Sequence, residues 1–154
     1  MGLCLIRCAA AVDYTCVEAI MKEVQKLHVT WRPDIYKEAD TVLPEEIFCR
    51  MVEAGTLLVA ERDKNVVGLL SYVYRHVQSD KQVTRNILFV DDLAVKEEYR
   101  GMGIGRALLD FVKDKVCKEH LDGLELQVNA RNVNARRMYE AYGFTEKSIN
   151  LELL

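Results

Sequence analysis

Residues 93–106 read Leu93-Ala94-Val95-Lys96-Glu97-Glu98-Tyr99-Arg100-Gly101-Met102-Gly103-Ile104-Gly105-Arg106: an apolar stretch, a glycine-rich loop between two arginines, and the start of a helical pattern. The first turn of a helix leaves several amide hydrogens unpaired and carries about half a positive charge, so it attracts phosphate. Glycines at 101, 103 and 105 remove the β-carbons that would keep a pyrophosphate away from those amides. Arg100 and Arg106 can add charge-assisted hydrogen bonds. A P-loop would need GxxxxGK[ST], which does not occur. A dinucleotide fingerprint would need GxGxxG tight against its strand, and here the third glycine falls one place early. A plain glycine turn capping a helix is the bland alternative.

A second cluster lies just upstream. Asp91 and Asp92 interrupt the apolar run Ile87–Val95, where an acid is costly unless a partner or a task retains it. On a regular strand neighbouring side chains face opposite ways, so only one of the two is expected to reach a groove.

These groups need a scaffold to position them. Leu3–Cys8 reads as a strand, and Val17, Ile20, Met21, Val24, Leu27 and His28 follow helical spacing. Trp31–Thr41 interrupts that helix. Pro44, Glu45 and Glu46 open a second one, which ends near Gly55. Thr56–Arg62, Asp63-Lys64-Asn65 and Val66–Tyr74 read as strand, turn, strand, and the polar Arg75–Arg85 as a loop or ragged hairpin end. Ile87–Val95 forms a central strand. Positions 104, 107, 108, 111, 112 and 116 mark a third helix, while Leu124, Leu126 and Val128 alternate as a strand. Ala135, Met138, Tyr139 and Tyr142 form a fourth helical face capped at Gly143, and Ile149, Leu151 and Leu153 a last strand. The order is β-α-α-β-β-β-α-β-α-β, an α/β (α+β) sheet covered by helices.

Composition narrows the classes. A chain of 154 residues, half hydrophobic and 29% charged, has room for one core. A net charge of −3 argues against a nucleic-acid partner, which needs a basic surface. No apolar run approaches a membrane span. The N-terminus does not read as a signal peptide, and Gly2 lacks the Ser or Thr that myristoylation needs at position 6. Five cysteines without CxxC pairing suit reduced thiols and a cytoplasmic setting, and no paired ligand spacing suggests a metal.

The arginine-glycine string Arg100–Gly105 matches the RxxGxG coenzyme A loop of the GNAT superfamily of acyl-CoA-dependent N-acyltransferases. A second string, Asn132-Val133-Asn134-Ala135-Arg136-Arg137-Met138-Tyr139-Glu140-Ala141-Tyr142-Gly143-Phe144, resembles the same family's N-x-x-A-x-x-φ-Y-x-x-x-G-F motif. With the element order agreeing as well, the resemblance covers nearly the whole chain. It implies one N-acetyltransferase domain, residues 1–154, with a mixed, mostly antiparallel sheet of about six or seven strands and four helices. It also implies acetyl-CoA as acyl donor, without a metal, and direct attack of a primary amine on the thioester. The acceptor expected is a small cationic amine, with a peptide or protein N-terminus or lysine as the alternative. A non-catalytic acyl-CoA sensor is the rival from another class. A homodimer is compatible with this reading.

Carried over residue by residue, the resemblance assigns Leu93, Ala94 and Val95 to the pantetheine arm, and Arg100, Gly101, Met102, Gly103, Ile104, Gly105 and Arg106 to the pyrophosphate. Asn132 and Tyr139 complete the coenzyme contacts. Tyr139 stands at the general-acid position, where a phenol of pKa about 10 can protonate a thiolate; without the motif it would read as a core aromatic. The position where some members carry a basic glutamate is Gln127, which cannot accept a proton. Phe89–Val95 looks instead like the diamine acetyltransferases and favours Asp91 as the catalytic carboxylate, with Asp92 as a substrate contact. An unperturbed carboxylate lies about six units below an alkylamine, a proton-transfer cost of roughly 8 kcal/mol. Asp91 is therefore either a base with a raised pKa or a water relay, or an anchor for the ammonium. In the segment between the first two helices, which offers His28, Trp31, Asp34 and Tyr36, Trp31 and Tyr36 are the candidate acceptor contacts.

Overall fold

The computed structural model describes residues 3–154, so Gly2 lies outside the described residues. Five strands form one sheet in the order β1-β2-β3-β4-β5: β1 Leu5–Cys8, β2 Leu57–Arg62, β3 Asn65–Ser79, β4 Gln82–Val95 and β5 Gly123–Leu126. The first four are antiparallel neighbours, and only β5 runs parallel to its partner β4. The helices are α1 Tyr14–Trp31, α2 Glu45–Ala54, α3 Ile104–Lys118 and α4 Val133–Tyr142. A parallel β4–β5 pair requires a crossover, and α3 supplies it.

Each face of the sheet has its own apolar layer. Leu58, Leu70, Leu88 and Val90 pack with Leu108 and Val112 of α3 and with Tyr139 of α4. Val59, Leu69 and Ala94 pack on the other face with Val17 and Ile20 of α1 and Phe48 of α2. Helix ends follow the local chemistry. Glu45 and Glu46 occupy the first turn of α2, and Gly55 ends it at φ 68°, a left-handed conformation that a β-carbon disfavours.

The strand count falls below the six or seven expected, and three segments differ from the sequence reading. Of the two readings of Arg75–Arg85, the hairpin end holds and the loop does not. This segment is the far end of a long β3–β4 ribbon, with Arg75 opposite Ile87, His76 opposite Asn86, and Ser79 opposite Gln82 across a two-residue turn. Most side chains there are exposed, so no buried face imposes alternation. At the other end of the chain, 149–153 pairs with no strand among the described residues. Finally, β5 stops at Leu126, before Val128, because β4 and β5 pair only from Ile87–Gly123 to Val90–Leu126.

Candidate active site

The β3–β4 ladder carries an irregularity at the acidic pair. Ser71 lies opposite Asp92 and Tyr72 opposite Val90, which leaves Asp91 as the extra residue of a β-bulge. The bulge changes which residues share a face. Leu88 and Val90 point to the α3–α4 layer, yet Ala94 belongs to the α1–α2 layer, and Asp92 accepts a 2.7 Å hydrogen bond from the buried Ser71 hydroxyl. The expectation that strand alternation sends Asp91 and Asp92 to opposite faces is therefore corrected. Both line the same two cavities.

One cavity, of about 300 Å³, lies between α1, α2 and β3; Met21, Leu43, Met51 and Tyr72 supply apolar wall and Ser71 and the aspartates the polar part. The other, of about 100 Å³, opens where β5 leaves β4 and is lined by His28, Leu93, Gln127, Asn132 and Tyr139 as well as both aspartates. Met21, Asp91 and Asp92 are common to the two. Burial pushes the Asp91 carboxyl above its ordinary value, the charge of Asp92 adds to this, and Arg75 opposes it.

Past Val90 the edge of β4 is open. Lys96 N–H donates to the Val67 carbonyl (2.8 Å), so the amides of Lys96 and Ala94 face β3, whereas those of Leu93 and Val95 face the gap. Leu93 and Val95 thus offer backbone groups to an extended ligand, while Ala94 turns its backbone to β3 and buries its methyl. Arg100 Nε donates to the Val95 carbonyl (3.0 Å), which ties the glycine loop to the end of the strand.

In that loop Gly101 (φ 75°) and Gly103 (φ 81°) hold left-handed conformations with open space where a β-carbon would stand. Ala107 N–H donates to the Gly103 carbonyl as the first bond of α3. Among the described residues, the six amides from Gly101 to Arg106 donate to no group of the chain. They form a run of donors at a helix start, the arrangement that holds phosphate oxygens. Gly105 plays a different part from the one expected. It is buried, and a β-carbon there would stand 3.0 Å from Met138 Sδ, so it lets α3 approach α4. Ile104 buries its side chain in the core, leaving its amide as the group facing the loop. The Arg106 guanidinium lies 5.5 Å from the Tyr142 ring centre, and Met102 Sδ accepts from Arg62 (3.2 Å).

Tyr139, 9% exposed, reaches the smaller cavity from α4. Burial alone pushes its phenol up to about 12, so it holds its proton across the neutral range. Asn132 Oδ1 accepts from Ala135 N–H (3.2 Å) and caps α4, which accounts for the Asn of the motif by helix chemistry and leaves its amide nitrogen and one oxygen lone pair for a ligand. Trp31 and Tyr36 line neither cavity. Their rings pack on His28 at centroid distances of 5.7 and 4.9 Å, and His28 is the residue that meets the cavity. Met21, Val24 and His28 lie three and four residues apart on one face of α1, and that spacing was the available signal for His28. Burial lowers the His28 pKa, against an opposing pull from Asp92, so its imidazole is neutral above the ordinary histidine range.

The family model described as Acetyltransferase (GNAT) family matches residues 21–144. Over 58 residues the chain is 40% identical to the [ribosomal protein bS18]-alanine N-acetyltransferase of Escherichia coli K12, a stretch covering 38% of this chain and 39% of that enzyme. The chain thus spans well under half the length of that relative. A mutant of the BH1408 protein from Bacillus halodurans superposes with a TM-score of 0.90 at 25% identity, covering 97% of this chain and 98% of that one. Aminoglycoside N-acetyltransferase AAC(6')-Iy, solved in complex with CoA, shares the fold at a TM-score of 0.68 and 14% identity, covering 100% and 95% of the two chains.

Proposed function

Because this chain belongs to the acetyltransferase (GNAT) family, we propose that it transfers the acetyl group of acetyl-CoA directly to a primary amine, with a small cationic amine as acceptor. One observation carries the reading: the free amides of Gly101–Arg106 and the open β4 edge lead into a cavity that Tyr139 and the two aspartates share. The loop amides hold the pyrophosphate of the coenzyme, and Leu93 and Val95 pair with its extended arm. The amine lone pair attacks the thioester carbonyl carbon, the C–S bond breaks, and Tyr139 gives its proton to the departing thiolate. The proton released by the nitrogen passes to water or to a carboxylate. A free backbone donor near Leu93 suits the developing oxyanion.

The larger cavity supports this acceptor class. Apolar walls with two carboxylates among their lining suit an ammonium carried on a hydrocarbon body. The likeness to a ribosomal-protein alanine N-acetyltransferase supports a second reading, in which the amine is a peptide N-terminus. Thiol release measured with acetyl-CoA and a matched panel of diamines, monoamines and peptides separates them. A kcat/KM at least about tenfold higher for the diamines is expected. A preference for peptides overturns the acceptor, and acetyl-CoA binding without thiol release for any amine overturns the reaction.

A further inference from the structure

The smaller cavity holds one titratable group that the proposed transfer does not use. His28 stands on the face of α1 that also carries Met21 and Val24, and it meets the cavity with Asp91 and Asp92 of β4 and Tyr139 of α4. Aromatic contacts hold its ring on two sides, with centroids 5.7 Å from Trp31 and 4.9 Å from Tyr36. Among the described residues the His76 ring bonds to Asn86 and Gln78, whereas neither nitrogen of the His28 ring has a partner in the chain. Every fully buried side-chain nitrogen or oxygen of the described residues does have one, so the His28 nitrogens open to the cavity.

The groups around that ring leave it neutral and near a carboxylate. The Ser71 hydroxyl fixes Asp92 through Oδ2, and the Asp92 charge pulls the His28 pKa up while burial, the larger effect, lowers it. Asp91 is the second carboxylate on β4, and Tyr139 keeps its proton. The segment between β5 and α4 adds only uncharged groups to the cavity. Both cations near the end of α1 are engaged elsewhere, Arg32 by Asp34 and Glu152, and Arg131 by the Trp31 carbonyl (2.6 Å).

An acceptor ammonium must lose a proton before its nitrogen can attack, and the aspartates are poor recipients. An alkylammonium lies roughly four units above an imidazole and about six above a carboxylate, so the transfer is about a hundredfold easier to the ring. We propose that His28 is the base that takes this first proton, working across the smaller cavity from Tyr139. The inference rests on the amine acetylation proposed above. An N–H bond of the ammonium breaks, the proton bonds to a His28 ring nitrogen, and the electron pair stays on the amine as the nucleophile. The imidazolium, stabilised by the Asp92 charge, then gives the proton to water. After attack the nitrogen loses its second proton and Tyr139 protonates the thiolate. Two protons thus leave the nitrogen, and sulfur and solvent gain one each in net.

Kinetics of His28→Gln with two amines of different basicity test this, beside a titration that needs no turnover. With diaminobutane, kcat/KM at pH 7 should fall by about tenfold or more, and the loss should shrink at high pH, where the amine sheds its own proton. Trifluoroethylamine is neutral at pH 7 and needs no base, so its loss should stay within about twofold. Acetyl-CoA affinity and circular dichroism should be unchanged. In the wild type without coenzyme, diaminobutane should lower the His28 pKa, because a cation enters beside the ring. NMR of the imidazole follows it, the His28 signal being the one missing from His28→Gln. Thiol release with equal losses for both amines, a loss that persists at high pH, or a His28 titration unmoved by diaminobutane overturns the role of His28 alone. A wild type that shows the His28 shift yet releases no thiol with any amine overturns the transfer, and the base with it.

Discussion

Tyr139 and the Asp91–Asp92 pair carry most of the proposed chemistry, and their environments differ in kind. Tyr139 is buried with nothing charged to stabilise its anion, so it keeps its proton until a strong base such as a thiolate forms beside it. Tyr139→Phe should lower kcat by about tenfold or more while leaving acetyl-CoA affinity nearly unchanged, read by steady-state kinetics beside a binding titration; an effect below about threefold assigns the proton to water. Asp91 and Asp92 act as a coupled pair because the bulge puts both on one side. Each substitution to Asn should reduce kcat/KM for a cationic amine, Asp91→Asn on kcat if it is the base and on KM if it is the anchor. Removing the Asp92 charge should also let the Asp91 pKa fall, because a neighbouring anion is one of the causes that raise it. The Asp91 carboxyl carbon, followed by NMR titration in Asp92→Asn, checks that direction. Had the strand been regular, Asp92 would have been an inert control.

At the scale of elements, the arrangement that anchors α1 to the sheet is an ion-paired turn. Asp13 is buried and accepts from Arg7 Nη1 (2.7 Å), from Arg7 Nη2 (3.0 Å) and from the Ala10 amide (2.7 Å), while Arg7 Nε also reaches Glu61 on β2 (2.8 Å). The Arg7 hydrogen bonds hold the Asp13 carboxyl below the usual carboxylate range, against a desolvation that raises it. A carboxyl whose folded pKa is depressed contributes its stability in full above the unfolded value near 3.9, and loses it as pH falls through the folded value. Stability should therefore decline below about pH 5, and Asp13→Asn should flatten part of that decline. At neutral pH the same variant should cost about 1–2 kcal/mol, since Arg7 loses one charged partner but keeps Glu61. Denaturant unfolding of both proteins at several pH values measures the two effects together.

Over the whole molecule, what could be read from residues alone was whatever buried faces and glycine chemistry impose. The four helices stand where apolar spacing put them, and the segment from Arg100 to Arg106 runs from a loop into a helix as its glycines required. Three things were hidden, each for a physical reason. The β3–β4 ribbon runs past the core with water on both sides, so its sequence has no alternation to detect. The bulge at Asp91 is a property of pairing between two strands, invisible in either one. The segment 149–153 does alternate, but its apolar side chains are exposed and it joins no strand among the described residues. At the site, Trp31 and Tyr36 had the chemistry of a pocket and instead pack on His28, whose helical spacing with Met21 and Val24 could be read from the sequence while the cavity it meets could not.

Coenzyme binding should tie these parts together. The loop amides, the β4 edge and Tyr139 belong to α3, the sheet and α4, so a ligand touching all three stabilises the domain and not one loop. Acetyl-CoA at about a hundred times its dissociation constant should add about 2.7 kcal/mol to the folded state. For a domain of this size that corresponds to a melting shift of roughly 5 to 10 °C. Two variants make the shift diagnostic. Gly103→Ala forces a β-carbon into the left-handed region and disturbs the run of free amides, so its ligand-induced shift should shrink at equal concentration. Gly105→Ala puts its β-carbon against Met138, so it should lower the melting temperature of the free protein while the ligand-induced shift persists. ATP and nicotinamide dinucleotides should produce far smaller shifts, because neither has an arm to pair along Leu93 and Val95. Equal shifts from all three ligands would mean that the loop binds phosphate without reading the rest of the coenzyme.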